Sequence, residues 1–267
     1  MKNLRNQCAR ALIASLVLAL VGGVASAMTV QPVVVDLKPV GHDMSATVSV
    51  QNSGAQAMPV ELTAQSLEFT EDGAKATGKD SGELLMFPPQ ALIPAGQTQV
   101  FRIQWVGDPE LAASKHYYVT VAQLPVKLPE GTSAIQILYD FRVLVNVAAS
   151  HGKAILSIDK ADMASVAPPK PVPGQSAAAG TTKYEPEIWV KNAGPNYGYL
   201  SHATLRISEN DTSGKEIFNK KLDPQDIQQT VGFGVIGPNT IRKVVLPVEL
   251  PSAQGSVKVE MVDAGEQ

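Results

Sequence analysis

Cysteine is almost absent from this sequence, which contains only Cys8. That residue falls within residues 1–27, which have the features of an export signal: three cations, then an apolar segment, then small residues before a cleavage point. Cleavage after this segment removes Cys8, so disulfides, thiol chemistry and cysteine-bound zinc are excluded from the mature chain. We therefore expect an exported protein that is held together by burial of apolar cores.

Positive charge and long apolar runs are also scarce. Three of the 22 Lys and Arg residues lie in residues 1–27, so 19 remain against 25 Asp and Glu, a net charge of about −6. That balance argues against nucleic acid as a partner. Beyond the signal, no apolar run reaches the roughly 20 residues of a membrane-spanning helix, so no membrane span is expected after cleavage.

Signatures of catalysis are missing as well. The four histidines lack the close spacing of metal ligands, no G-x-S-x-G elbow is present, and aromatic residues make up 5% of the chain, too few to indicate a carbohydrate-binding module. Residues 232–237 match G-x-G-x-x-G, but Pro238 follows where a nucleotide-binding helix would begin, so this segment predicts a turn. We expect no enzyme activity, no metal site and no cofactor.

The sequence is rich in alternation of apolar and polar residues. Residues 134–147 are the clearest case, because apolar side chains occupy every odd position, including Ile135, Ile137, Tyr139 and Phe141. Period two predicts a β-strand, here roughly 40 Å long and about twice the usual length. An apolar strand that is longer than its own domain needs, and that lies at a sheet edge, pairs with another chain. This segment therefore predicts a protein partner.

Similar short runs, broken by Gly, Pro, Asn and Asp, predict an all-β fold. The first part offers seven strands, a number typical of an immunoglobulin-like sandwich. They cover residues 29–37, 45–52, 59–67, 84–87, 98–106, 116–124 and 134–147. Polar and small residues interrupt the pattern at 148–153, and a sparser set of strands follows. We predict two immunoglobulin-like β-sandwich domains, residues 28–149 and 150–267.

Two arginines lie inside apolar strands, Arg102 and Arg142. A strand arginine usually lies on a solvated face, where its stem covers apolar surface. The alternative is an anchor for a partner's carboxylate, for which the planar and permanently charged guanidinium is well suited. The sequence leaves both interpretations open.

Residues 84–125 and 135–147 together resemble the periplasmic pilus chaperones of the chaperone–usher pathway, the PapD-like family. The matching features are the Pro88-Pro89 pair after a short strand, the turn at 94–97, the strand that carries Arg102, and the alternating last strand. The resemblance implies two immunoglobulin-like domains set at an angle, with a cleft between them. It also implies a periplasmic protein that binds pilus or fimbrial subunits and delivers them to an outer-membrane usher.

In this family the long strand completes a subunit that lacks a strand, a mode of strand addition known from chaperone–pilin complexes. The resemblance makes Ile135, Ile137, Tyr139 and Phe141 the subunit-binding residues, with Phe141 at the point where the stripe enters the chaperone's own core. It also leaves open that two copies of the chain associate through the exposed strand.

The resemblance fails at one point. Family members usually carry an arginine in the first strand and a lysine near the end of the last, which together grip the subunit's terminal carboxylate. Here Val34 and Leu144 occupy those positions, and Arg142 is the candidate replacement. A structural or adhesive immunoglobulin-like secreted protein is therefore the alternative function.

Overall fold

The computed structural model describes residues 28–126, 137–168 and 181–265. The expected export signal, residues 1–27, lies outside them, as does Ile135. Within the described ranges, no helix is both long and apolar enough to cross a membrane. These ranges form two domains of β-structure, each with its own apolar core, so the expectation of a two-domain all-β protein is confirmed.

The N-terminal domain is a sandwich of two sheets. Its strands are β1 (Met28–Gln31), β2 (Val34–Leu37), β3 (Ser45–Asn52), β4 (Met58–Thr70), β5 (Gly73–Ala76), β6 (Leu84–Phe87), β7 (Gln90–Ile93), β8 (Thr98–Trp105), β9 (Lys115–Gln123) and β10 (Asp140–Val147). One sheet has the order β1-β3-β8-β6 and the other β2-β10-β9-β4-β5, with β7 also paired to β4. Phe101, Trp105 and Val145 are fully buried between them.

The C-terminal domain contains shorter sheets around a second core. Its strands are β11 (Leu156–Val166), β12 (Lys183–Asn192), β13 (Gly198–Tyr199), β14 (Thr204–Asn210), β15 (Glu216–Leu222), β16 (Val235–Ile236), β17 (Ile241–Val245) and β18 (Ser256–Asp263). The sheet orders are β11-β12-β17, β13-β16 and β15-β14-β18. Ile188, Leu205 and Ile227 are fully buried in the core.

The structure corrects the expected strand at 134–147. In the described residues the strand begins at Asp140, and residues 137–139 precede it outside regular structure. The neighbouring strand β9 ends at Gln123, so the pairing that would hold a longer strand runs out at this point. Apolar alternation therefore continues along the sequence beyond the strand itself.

The expected first strand, residues 29–37, is also divided in two. Strand β1 pairs with β3 in one sheet, whereas β2 pairs with β10 in the other. Pro32 lies between them, and its missing N–H ends the ladder at the point where the chain changes sheets. This crossover places β2 beside the last strand of the domain, where it forms one wall of the site described below.

One short helix was not expected from the sequence. Helix α1 (Pro224–Thr230) has proline in its first turn, and the Asp226 carboxylate accepts a 3.2 Å hydrogen bond from the Asp223 backbone N–H. These are helix-start signals, but seven residues are too few to show helical periodicity. The G-x-G-x-x-G segment follows this helix and contains β16, so it opens no helix, as predicted.

Candidate functional site

One edge of the N-terminal domain is left open along β10. Strand β9 pairs with all of β10, from Asp140 to Val147, whereas β2 pairs only with its second half, from Leu144 onward. The Leu144 N–H donates a 2.9 Å hydrogen bond to the Val33 carbonyl on the β2 side. By the alternation of an antiparallel ladder, the backbone groups of Asp140 and Arg142 face this side too, where no described strand covers them.

The side chains along this edge continue the apolar stripe beyond the core. Val143 is fully buried and Phe141 is partly buried against the same core. Ile137 and Tyr139, on the same odd positions, are 68% and 37% exposed. The open edge thus combines unpaired backbone groups with exposed apolar side chains, which is the arrangement that binds an added strand.

The two strand arginines do not lie in one site. Arg142 is exposed in β10, and its guanidinium carbon lies 5.8 Å from the centre of the Tyr118 ring in β9. Arg102 lies in β8 of the opposite sheet, where its Nη2 donates a 3.0 Å hydrogen bond to the Ser45 hydroxyl. Of the two candidates, Arg142 is the one next to the open edge.

Val34 and Leu144 are direct neighbours, paired across the parallel strands β2 and β10. The structure therefore brings together the two positions at which pilus chaperones usually carry cations. Both side chains are half-buried. These two positions are therefore apolar in this chain.

The next register pair along these strands, Asp36 and Asn146, connects the two domains. Asp36 Oδ1 accepts hydrogen bonds from the Tyr197 hydroxyl at 2.9 Å, the Tyr199 hydroxyl at 2.5 Å and Asn146 Nδ2 at 2.9 Å. Both tyrosines belong to the C-terminal domain. Burial and the Asp36 carboxylate raise the pKa of both hydroxyls, so they remain protonated donors. We call these four residues the interdomain network.

His116 extends the interdomain network into the N-terminal core. Its Nδ1–H donates to Asn146 Oδ1 at 2.7 Å, and its Nε2 accepts from the Ser114 hydroxyl at 3.1 Å, a tautomer assigned because Asn146 Nδ2 already donates to Asp36. Burial lowers the pKa of His116 to about 4, so the ring is neutral at pH 7. The ring also meets Phe69 edge-on, with centroids 4.6 Å apart.

A second contact between the domains is made by the β4–β5 hairpin. The Glu71 carbonyl at its tip accepts a 2.7 Å hydrogen bond from the Lys243 N–H in β17. Phe69 packs so closely on Gly237 that a Cβ atom there would lie 2.5 Å from its ring. The hairpin and the interdomain network therefore hold the two domains together from different strands.

None of these interdomain residues was a candidate in the sequence analysis. The only local signals are polar residues at buried strand positions, namely Asn146 within the last strand and His116 at the start of β9. Their partners are far away in sequence: Asp36 and Tyr199 are 163 positions apart. In the described residues, no group of three or more His, Cys, Asp or Glu is placed to hold a metal ion.

These features define a two-domain all-β protein with one open sheet edge beside an interdomain cleft. Comparison with known proteins gives no match to a protein-family model or to a curated protein. Solved structures do match. A chain from a chaperone–tip adhesin complex of CFA/I fimbriae biogenesis is 14% identical with a TM-score of 0.50, over 90% of this chain and 100% of that chain.

Two further structures are similar. The class 5 fimbriae chaperone CfaA is 15% identical with a TM-score of 0.49, over 88% of this chain and 99% of that chain. A chain of the CsuC–CsuE pre-assembly complex of Acinetobacter baumannii is 11% identical with a TM-score of 0.45, over 82% of this chain and 90% of that chain. At such identities the likeness concerns the fold. The chain has the fold of the chaperone–usher pilus chaperones, and the resemblance seen in the sequence is confirmed at that level.

Proposed function

We propose that this chain is a periplasmic chaperone that captures pilus or fimbrial subunits by strand addition at the open edge of β10 and delivers them to an outer-membrane usher. The observation that carries the proposal is this edge, where residues 140–143 have no described partner on one side. The role is one of binding and release, without a catalytic step. The expected export signal supports the periplasmic location.

The backbone of the open edge supplies the general part of the binding. Asp140 and Arg142 present N–H and C=O groups to the open side, and an added strand would satisfy them by ladder hydrogen bonds. This pairing depends little on the partner's sequence. It would stabilise an incomplete subunit by giving its own edge a neighbour, and without a subunit the same edge allows two copies of this chain to pair.

The side chains supply the specific part. Ile137 and Tyr139 are exposed and project beyond the core that holds Phe141. Transferred into an apolar groove, each would be removed from water at a gain of about 1.5 to 3 kcal/mol for a fully buried large side chain. Ile135 is proposed to act with them, on the basis of the same odd-position pattern. Arg142 is proposed as an anchor for a carboxylate of the subunit.

The test is co-expression of the full chain in a periplasm with a fimbrial subunit encoded beside its gene, followed by purification through a tag on the chaperone. The unaltered chain should retain the subunit. Ile137→Asp should lose it, because a carboxylate cannot enter an apolar groove without a large desolvation penalty.

The matched control is Leu85→Asp, since Leu85 is 53% exposed on the other sheet, away from the open edge. It should capture the subunit as well as the unaltered chain, and circular dichroism should show that both variants are folded. Retention of the subunit by Ile137→Asp would rule out strand donation and favour the structural or adhesive alternative.

A further inference from the structure

The turn that follows helix α1 holds an aromatic side chain at the protein surface. Gly232 and Gly234, on either side of Phe233, have φ angles of 80° and 59°, in the left-handed region that favours glycine. A Cβ at Gly234 would lie 2.9 Å from the Cβ of Leu200, so a larger residue would clash there. The Phe233 side chain is 37% exposed. The glycines of the G-x-G-x-x-G segment therefore shape a turn that presents an aromatic ring.

Contacts within the C-terminal domain hold Phe233 in place. Its carbonyl accepts a 3.2 Å hydrogen bond from the Ser201 N–H. Its ring lies 5.9 Å from the Tyr199 ring, measured between centroids. Tyr199 belongs to the interdomain network, so its hydrogen bond to Asp36 also ties the position of Phe233 to the N-terminal domain.

Phe233 forms one wall of a groove between the domains, which we call the cleft groove. The other walls are residues 30–34, around the crossover from β1 to β2, and Ser49 of β3. The groove has a volume of about 670 Å³. None of its lining residues is charged, and Val33 is 52% exposed. The cleft groove thus offers apolar surface to water and has no charge with which to bind an ion.

The cleft groove lies where a strand added at the open edge would stop. Such a strand would pair with residues 140–143, on the side of β10 that β2 occupies from Leu144 onward. It would therefore run in line with β2 and stop at Val33, whose carbonyl already accepts the Leu144 N–H. Val33 and Val34 line the cleft groove, so the last side chain of the added strand is placed beside it.

We infer that the cleft groove binds a large apolar side chain, best an aromatic one, carried by the residue at which the added strand stops. Insertion removes from water the entering side chain and the exposed parts of Val33 and Phe233, which favours binding. An aromatic side chain gains further from offset or edge-to-face contact with the Phe233 ring. The groove thus selects subunits by this side chain, whatever the charge of the chain end. The inference rests on the proposed function, because the added strand brings the side chain.

The test uses the mature chain labelled with ¹⁵N and three soluble decapeptides of alternating Ser and Val, all acetylated and amidated so that their ends carry no charge. One has Phe at its C-terminal position, one has Phe at its N-terminal position, and one has Ser at both. Dissociation constants are measured from the shifts of backbone amide resonances. We expect one Phe peptide to bind about tenfold more tightly than the Ser peptide and to move the Phe233 resonance. The peptide that binds more tightly shows which end of the added strand lies at Val33.

Phe233→Ala should remove the preference for the Phe peptide, and Phe233→Leu should retain part of it. The matched control Phe87→Ala should leave the preference unchanged, since Phe87 is 68% exposed in β6, at the opposite edge of the sheet from β1. Equal binding of the three peptides, including no binding at all, would overturn the inference, as would a preference that survives in a folded Phe233→Ala protein. Strand donation would still stand if Ile137→Asp abolished subunit capture while Phe233→Ala left it unchanged.

Discussion

The Asp36 carboxylate of the N-terminal domain accepts a 2.5 Å hydrogen bond from the Tyr199 hydroxyl of the C-terminal domain. Tyr199 is buried, and the same carboxylate oxygen also serves Tyr197 and Asn146. The position next to the apolar Val34–Leu144 pair is thus used to connect the domains. A single carboxylate oxygen, Asp36 Oδ1, accepts all three of these hydrogen bonds.

Tyr199→Phe should lower the free energy of unfolding by about 1 to 3 kcal/mol, because it removes a donor to a charged acceptor. Urea denaturation monitored by tryptophan fluorescence measures the effect. Tyr184→Phe is the matched control, since the described residues offer its hydroxyl no partner. Equal stability of the two variants would show that the bond to Asp36 contributes nothing.

The protein should lose stability in mild acid through His116. Its pKa is about 4 in the folded state and about 6.5 when unfolded, so the unfolded state binds the proton more readily. The contribution of His116 to the free energy of unfolding is complete above about pH 6.5. It is lost as the pH falls toward 4, by about 3 kcal/mol in total. Urea denaturation should show about 2 kcal/mol of this loss between pH 7.5 and 5 in the unaltered chain and none of it in His116→Gln.

The exposed His151→Gln is the control for that experiment, because the His151 side chain is 90% exposed. It should keep the pH dependence of the unaltered chain. If the free energy of unfolding of His116→Gln falls as steeply between pH 6.5 and 5 as that of the unaltered chain, the buried imidazole is not the group responsible.

Gly237→Ala should detach the β4–β5 hairpin, since the new Cβ would lie 2.5 Å from the Phe69 ring. The readout is hydrogen exchange of the Lys243 amide, which donates to the Glu71 carbonyl. We expect exchange to accelerate at least tenfold, about 1.4 kcal/mol of local stability. Adding Phe69→Ala should remove the clash and restore protection. If the Lys243 amide in folded Gly237→Ala exchanges as slowly as in the unaltered chain, the Phe69–Gly237 contact does not hold the hairpin.

Leu144→Lys should create the cation that pilus chaperones usually carry in the cleft. Leu144 is half-buried, so a lysine can lay its stem along the apolar surface and keep its ammonium in water. The variant should fold and should bind a soluble decapeptide of alternating Ser and Val with a free terminal carboxylate several-fold more tightly than the unaltered chain does.

Val143→Lys provides the contrast for Leu144→Lys, because Val143 is fully buried on the opposite face of the same strand. It should unfold the N-terminal domain or cost several kcal/mol, since a lysine there has no route to water. If instead Val143→Lys folds well and Leu144→Lys does not, the assignment of the two faces is wrong.

Several elements could be predicted because their cause is local. Strands β3 and β6 were predicted with the bounds that the structure gives them, and the all-β class follows from period-two alternation. The strand at 134–147 was predicted too long. Alternation reports which face of a segment is apolar, but a strand lasts only as long as a neighbour pairs with it.

Some residues of the candidate site could likewise be predicted from the sequence, and others could not. Ile137 and Tyr139 could be selected from the sequence because apolar residues that continue past a core are visible in the pattern itself. The interdomain network could not, since it depends on residues brought together over long separations, such as the 163 positions between Asp36 and Tyr199. A polar residue within an apolar strand signals that a partner exists and does not identify it.

By itself, the sequence determined that this chain forms β-strands with a committed apolar face, that its single cysteine can form no disulfide within the chain, and which side chains fill the cores. Only the tertiary structure decided that β2 stops pairing at Leu144, that Val34 lies opposite it, and that Tyr199 reaches Asp36. The physical reason is the separation along the chain over which each kind of interaction acts. Side-chain alternation acts between neighbouring residues, whereas an open edge or a cluster of charges exists only once distant strands have paired and two domains have docked.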